Sequence, residues 1–298
     1  MSIDDVAPDV ASPPPTVYRP SPRPQFAGPA AISHAAVTRH IWGDAESGEV
    51  FDWIYASTER IHALVFGVAP GGRFQHSQEF RTVFGADEVL HVLSGTMVLA
   101  NPETGEVVRV PTGDCAFFQA DTWHHVFAHE DEPLRVLEFL APPPAAGTTG
   151  TYARSRDYLH ESSYADDSVL GRLPGATTAR TTLRWLRCED TTYRLQGDAL
   201  LGLRASTPHL TVASLELQSG KAGSVHAHDG DEVIYVTRGT LAVRIWAGDE
   251  TYVFELSPND AAYIPAGALH EYRNYSASGV EALLGVAPTF ADAPAPRQ

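Results

Sequence analysis

The chain has 298 residues, 43% of them hydrophobic, enough to bury the core of one large β domain or of two of ordinary size. Against 37 Asp and Glu stand 21 Lys and Arg, a formal net charge of -16, which argues against nucleic-acid phosphates or an anionic membrane surface as partners. Its two cysteines, Cys115 and Cys188, lie far apart, so neither a disulfide framework nor a thiolate metal site is expected.

The opening stretch MSIDDVAPDVASPPPTVYRPSPRPQFAGP lacks the basic start and apolar centre of a secretory signal. No run in the chain reaches the roughly 20 apolar residues of a membrane span, and a cytoplasmic protein is the expectation. Residues 1–28, rich in Pro, Ser and Ala and without a hydrophobic period, read as an extended or disordered tail. From there short alternating apolar runs bounded by Gly, Pro, Asn and Asp take over: IHALVFGV, EVLHVLSG, TMVLANPETGEVVRV and LRVLEFLA mark a first β unit over 29–145. Residues 146–180 form a Pro- and Gly-rich connector. LTVASLEL, EVIYVTRG, TLAVRIWAGDETYVFEL and AAYIPAG then mark a second unit over 181–298. The class is all-β, with little helix.

The two units repeat one another. EVLHVLSGTMVL from Glu88 aligns with EVIYVTRGTLAV from Glu232, NPETGEVVRVPTGDCAFF parallels AGDETYVFELSPNDAAYI, and Trp42 and the histidines of DTWHH align with Trp185 and His270.

In the second repeat, SVHAHDGDEVIYVTRG places His226 and His228 on one strand face, because side chains alternate along a strand. Glu232 joins them if DGD turns between strands. Downstream, in YIPAGALHEYRN, Pro265 and Gly267 set a turn before His270, which enters the next strand inward with Tyr272 and Asn274. Three imidazoles and one carboxylate suit a divalent ion and leave positions open to substrate. Ile234 and Val236, on the face of Glu232, supply an apolar floor, and the Tyr272 hydroxyl is placed to meet a bound substrate. Arg273 alternates outward.

Gly220, His226, His228, Glu232 and Gly239, followed by Pro265, Gly267, His270 and Asn274, resemble both motifs of the cupin superfamily. The family's second motif usually begins with Gly where Asn259 stands here, a turn position that binds no metal. The tandem repeat resembles a bicupin, which implies two Greek-key β-barrels. The matching residues His226, His228, Glu232 and His270 would hold the metal, and Glu232 and Tyr272 would be the catalytic groups.

The first repeat departs from this pattern. Counted back from Glu88, the histidine positions hold Thr82 and Phe84; counted forward from Gly72 they hold Gln78 and Phe80, with His76 nearby. QADTWHH replaces the usual Pro and Gly with Gln119 and Asp121 but keeps His124. Either His76, Glu88 and His124, with Gln78, form a second two-His, one-carboxylate site, or the barrel is degenerate and its buried acid has another partner. His62, His91, His125 and His160 read as surface or hydrogen-bonded residues, and Trp42, Trp53 and Trp185 as core or lid contacts.

The resemblance implies, first, a non-haem iron dioxygenase that binds a chelating organic substrate and O2 at adjacent positions. The alternative is a redox-neutral isomerase, cyclase, lyase or decarboxylase whose ion acts as a Lewis acid, and a second alternative is a non-enzymatic binder of a small ligand. Fe(II) is the first ion expected, with Zn(II), Ni(II), Mn(II), Co(II) and Cu(II) as alternatives. The expected partner is a small-molecule substrate rather than nucleic acid or membrane, and the chain is expected to be a monomer or homodimer.

Overall fold

The structure is a computed structural model describing residues 21–143, 151–165 and 182–290. Most of the tail and of the connector expected from the sequence therefore lies outside the described residues. In chain order, the strands are β1 (Ala30–Ile32), β2 (Thr38–Asp44), β3 (Gly48–Ser57), β4 (His62–Val68), β5 (Arg73–Phe74), β6 (Asp87–Ser94), β7 (Thr96–Ala100), β8 (Val107–Pro111), β9 (Cys115–Phe118), β10 (His125–Ala128) and β11 (Leu134–Ala141). After the one-turn helix α1 (Thr151–Ser155) follow β12 (Arg184–Leu186), β13 (Thr192–Gln196), β14 (Ala199–Ser206), β15 (Thr211–Leu217), β16 (Asp231–Arg238), β17 (Leu241–Ala247), β18 (Glu250–Leu256), β19 (Ala261–Ile264), β20 (Leu269–Arg273) and β21 (Val280–Ala287).

Each repeat closes a seven-stranded antiparallel sheet over a smaller one. In the first, β12-β9-β6-β11-β4-β3-β2 faces β5-β10-β7-β8; in the second, β1-β19-β16-β21-β15-β14-β13 faces β18-β17-β20. The side chains between the two sheets fill each barrel: Leu64, Phe66, Leu90, Met97, Leu99 and Phe118 in the first, Leu215, Ile234, Val243, Ile245 and Leu284 in the second.

The two barrels exchange edge strands. β1, from the start of the first unit, pairs with β19 of the second barrel, and β12, at the start of the second unit, pairs with β9 of the first. Each exchange covers an edge that would otherwise present unpaired backbone groups. It also separates the two tryptophans that the repeat aligned. Trp42 lies on β2 inside the first barrel, whereas Trp185 lies on β12, 46% exposed, with its indole N–H donated to Asp114 Oδ2 at 2.8 Å.

A third core joins the barrels back to back. Tyr55, Val65, Val89, Leu137 and Phe139 from the outer face of the first large sheet meet Val212, Val233, Tyr235, Tyr263 and Leu283 from the second. This second buried face explains why strands such as β4 are buried at every residue, reading as continuous apolar runs rather than alternating ones. At Gly285 a Cβ would come within 2.4 Å of the Phe139 ring, so only glycine permits this approach of the sheets. Asn259 takes φ 72°, a left-handed conformation that asparagine tolerates, and its side-chain oxygen accepts from Tyr235 Oη at 2.8 Å while its carbonyl accepts from Tyr55 Oη at 2.6 Å. The departure from the family's glycine thus gains a tie across the barrel interface.

Candidate metal centre

In the second barrel, backbone pairing brings distant residues to one point. The segment before β16 lies against β20: His226 N–H donates to the His270 carbonyl at 2.9 Å, and His270 N–H returns to the His226 carbonyl at 2.8 Å. Gly267, at φ 77°, donates to the His228 carbonyl at 2.7 Å and turns the chain into β20. Glu232 points into the barrel from β16. One ligand atom from each of His226, His228, Glu232 and His270 lies within 4.8 Å of the others.

The imidazoles are oriented by main-chain carbonyls. Nδ1 of His226 meets the Ser224 carbonyl at 2.8 Å and Nδ1 of His270 the Ala268 carbonyl at 3.0 Å. A carbonyl only accepts, so both Nδ1 atoms carry the proton and both Nε2 atoms present lone pairs to the centre. Nε2 of His226, both ring nitrogens of His228 and Oε2 of Glu232 are buried without a hydrogen-bond partner among the described residues. Buried polar atoms left so are costly, and a divalent ion would satisfy them together. The donor set fits a metal ion.

Electrostatics point the same way. Burial alone would raise the Glu232 carboxyl, but His270 and His228, with Nε2 atoms 3.2 and 3.4 Å from Oε2, hold it well below the usual range as an anion. Burial and the neighbouring His270 push His226 down to about 3, which keeps it neutral as a ligand must be. Burial would lower His270 too, but the Glu232 charge outweighs it and raises that group. Tyr272 donates to Glu232 Oε1 at 2.6 Å, and its oxygen lies 3.3 Å from His270 Nε2. Burial and the Glu232 charge raise its hydroxyl well above the ordinary value, so it remains a donor.

Ile234 and Val236 lie in the core of this barrel. Arg273 pairs with Glu271 at 2.7 Å, away from the centre. Phe290, its ring centroid 4.2 Å from that of His228, was not visible in the sequence because it follows the last strand without any motif around it.

The same backbone frame recurs in the first barrel and decides its alignment. His124 N–H donates to the Thr82 carbonyl at 3.0 Å, as His270 does to His226; Asp121, at φ 72°, donates to the Phe84 carbonyl at 2.7 Å, as Gly267 does to His228. Thr82, Phe84, Glu88 and His124 therefore stand where the second barrel has its four candidate ligands. His76 does not join Glu88 and His124. Its Nδ1 lies 2.7 Å from His125 Nε2, its Nε2 2.7 Å from the Leu159 carbonyl, and its ring packs against Trp123 and Tyr158. Gln78 is exposed. Only His124 Nε2 approaches Glu88 Oε2, at 3.9 Å, and among the described residues no second metal-binding group forms. The physical reason is that the segment entering the barrel is Thr82–Phe84, while His76 is turned toward the segment that follows α1.

Of the remaining histidines, His91 bonds to Cys115 Sγ at 3.2 Å and His125 to Tyr164 Oη at 2.6 Å. His62 is buried with its Nδ1 unpartnered among the described residues, and burial pushes it down to about 4.

Comparison with known proteins agrees with this architecture. The chain superposes on a single-residue variant of Bacillus subtilis oxalate decarboxylase with a TM-score of 0.65 at 13% identity, covering 92% of this chain and 81% of that one. It superposes on the formate complex of Lactobacillus farciminis oxalate decarboxylase with a TM-score of 0.61 at 16% identity (94% and 90% covered). For AerE from Microcystis aeruginosa the TM-score is 0.58 at 11% identity (85% and 98% covered). At these identities the likeness concerns the fold. No curated protein matches the chain in sequence. The cupin domain model matches twice, over residues 64–140 and 213–285, and with one such domain in each barrel the chain belongs to the cupin family, as a bicupin.

Proposed function

We propose that the second barrel binds one divalent ion through His226, His228, Glu232 and His270 and that the protein catalyses a redox-neutral cleavage or isomerisation of a small chelating organic substrate. The carrying observation is the set of four convergent ligand atoms, with buried, unpartnered lone pairs on His226, His228 and Glu232. The iron dioxygenase expected first from the sequence uses the same donor set. The redox-neutral reading gains weight from structural neighbours that are oxalate decarboxylases of two organisms. We infer Mn(II) as the ion: the donor set accepts it, and the Bacillus subtilis enzyme has Mn(II) centres.

The bound ion supplies Lewis acidity toward the substrate's oxygens. Tyr272 fixes Glu232 Oε1 and so holds Oε2 toward the centre. Its hydroxyl stays protonated and, beside His270, is placed as a hydrogen-bond donor to a substrate oxygen, while the ionised Glu232 is the group able to accept a proton from the substrate. Leu215, Ile234, Val236 and Leu284 exclude water. Arg238 pairs with Glu281, and Arg244 and Arg273 pair with Glu271, so the substrate is held by coordination and apolar contact rather than by a guanidinium.

The test is metal content by inductively coupled plasma mass spectrometry, on wild type and His226→Ala, with turnover of small oxo acids and diketones followed in an oxygen electrode. About one ion per chain, lost in the variant, with turnover that consumes no O2, is expected. Stoichiometric O2 uptake would return the chemistry to the dioxygenase, and full metal content in His226→Ala would remove the site.

A further inference from the structure

The interior of the first barrel has exchanged one kind of polar group for another. Leu90 and Ile234 each lie two residues after the matching acids Glu88 and Glu232; Glu138 pairs with Leu90 on the neighbouring strand, as Leu284 pairs with Ile234. Two strands further, on β3, Asp52 stands opposite Phe66 of β4 where the second barrel has Leu201 opposite Leu215. Where the second barrel has two candidate ligand histidines the first has Thr82 and Phe84, and where the second has two core leucines the first has Glu138 and Asp52. A barrel that had merely lost its metal would need no new buried acids, because each costs free energy to desolvate.

These groups surround a cavity of about 50 Å³, lined by Trp42, Asp52, Phe66, Phe74, Thr82, Phe84, His124 and Glu138 among others. On that measure a water needs roughly 10–15 Å³, so a molecule of a few heavy atoms fits. Two buried polar atoms of its wall residues have no hydrogen-bond partner among the described residues, Trp42 Nε1 and Thr82 Oγ1, and Oε2 of Glu88, the neighbour of Glu138 behind the wall, is a third. They are at most 4% exposed, and Trp42 and Thr82 are in the cavity wall. His124 donates from Nδ1 toward the Thr122 carbonyl at 3.3 Å, which leaves Nε2 as an acceptor. Asp52 has His40 at 3.5 Å as its counter-group. Glu88 and Glu138 have each other, and no Lys or Arg lines the cavity.

We propose that the first barrel is a second, metal-free binding site for a small organic ammonium compound bearing a hydroxyl or carbonyl oxygen, of the size of an amino alcohol. The ammonium donates to Glu138, with Glu88 behind it, and lies among the rings of Phe66, Phe74 and Phe84, whose faces attract a cation. The oxygen accepts from Trp42 Nε1, and Thr82 Oγ1 completes the contacts. A carboxylate ligand finds no Lys or Arg in the wall to pair with, so the two barrels take ligands of different chemistry.

Isothermal titration calorimetry of the full chain with ethanolamine, n-propanol and acetate at constant ionic strength tests this, on wild type, His226→Ala, Glu138→Leu and Trp42→Phe. Ethanolamine is expected to bind wild type and His226→Ala alike, at least about tenfold more weakly to Glu138→Leu, and measurably more weakly to Trp42→Phe, with no binding of n-propanol or acetate. Leucine occupies the matching position of the second barrel, and circular dichroism checks that the variant folds; Trp42→Phe, which keeps an aromatic ring and removes the N–H, decides independently. Loss of binding in His226→Ala with Glu138→Leu unaffected would put the amine on the metal centre. Equal binding of n-propanol, or no heat from any probe, would likewise overturn the proposal.

Discussion

The interiors of the two barrels differ far more than their backbones. Both carry two matching main-chain hydrogen bonds between the segment entering the barrel and the segment that bears the inward histidine, the same left-handed turn before that histidine, and an inward glutamate at the same register. In the second barrel this frame presents His226, His228, Glu232 and His270; in the first, Thr82, Phe84, Glu88 and His124. Glu232 is kept ionised by imidazoles, whereas Glu88, with Glu138 against it, is pushed well above the usual carboxylate range by burial and that neighbour. The frame decides where side chains converge, and the four differences at Asp52, Thr82, Phe84 and Glu138 decide what they can hold.

The sharpest way to break this comparison is to remove the second barrel's ligands. Glu232→Gln keeps the shape and removes the anion, and we expect metal affinity to fall by about 100-fold or more, read by competition with a chelator. The converse experiment is to rebuild the first barrel. Thr82→His with Phe84→His restores the four-residue pattern, and ion content should rise from about one to about two per chain; an unchanged content would mean that Glu138 or the surrounding rings, and not the missing histidines, exclude the ion.

A smaller effect is expected of Tyr272→Phe, which should leave the ion bound and lower kcat by roughly 10- to 100-fold, with KM nearly unchanged. Glu138→Leu sharpens the contrast through pH. Burial, with Asp52 nearby, pushes Glu138 up to about 7, above its unfolded range near 4.5. With the folded value raised, its contribution is fully present below pH 4.5 and is lost as pH rises to 7. The variant should therefore gain stability on wild type as pH rises from 4.5 to 7, read from urea unfolding across that range. Smallest, Asn259→Ala removes an acceptor from Tyr235 and strains a residue at φ 72°, and should cost about 1–2 kcal/mol.

Much of this was legible in the residues. Alternating runs and the internal repeat specify two β units, and the spacing of His226, His228 and Glu232 with His270 downstream specifies the convergent set, because strand periodicity and a glycine turn leave those side chains few other places to point. Counting back from Glu88 puts Thr82 and Phe84 where the second barrel has its histidine pair. The count forward to His76 was also open, and nothing local could choose between them.

What the sequence by itself determined is what short-range geometry controls: the fold class, the two repeats and the candidate ligands of the second barrel. Only the tertiary structure decided the rest. It turned His76 to His125 and Leu159, exchanged β1 and β12 between the barrels, and placed Glu138, 50 residues further on, beside Glu88, with Asp52 near Glu138. The physical reason is that neighbours across a sheet are set by register and closure of the whole barrel, and a lone acid in an apolar run such as LRVLEFLA carries no mark of which strand it will face.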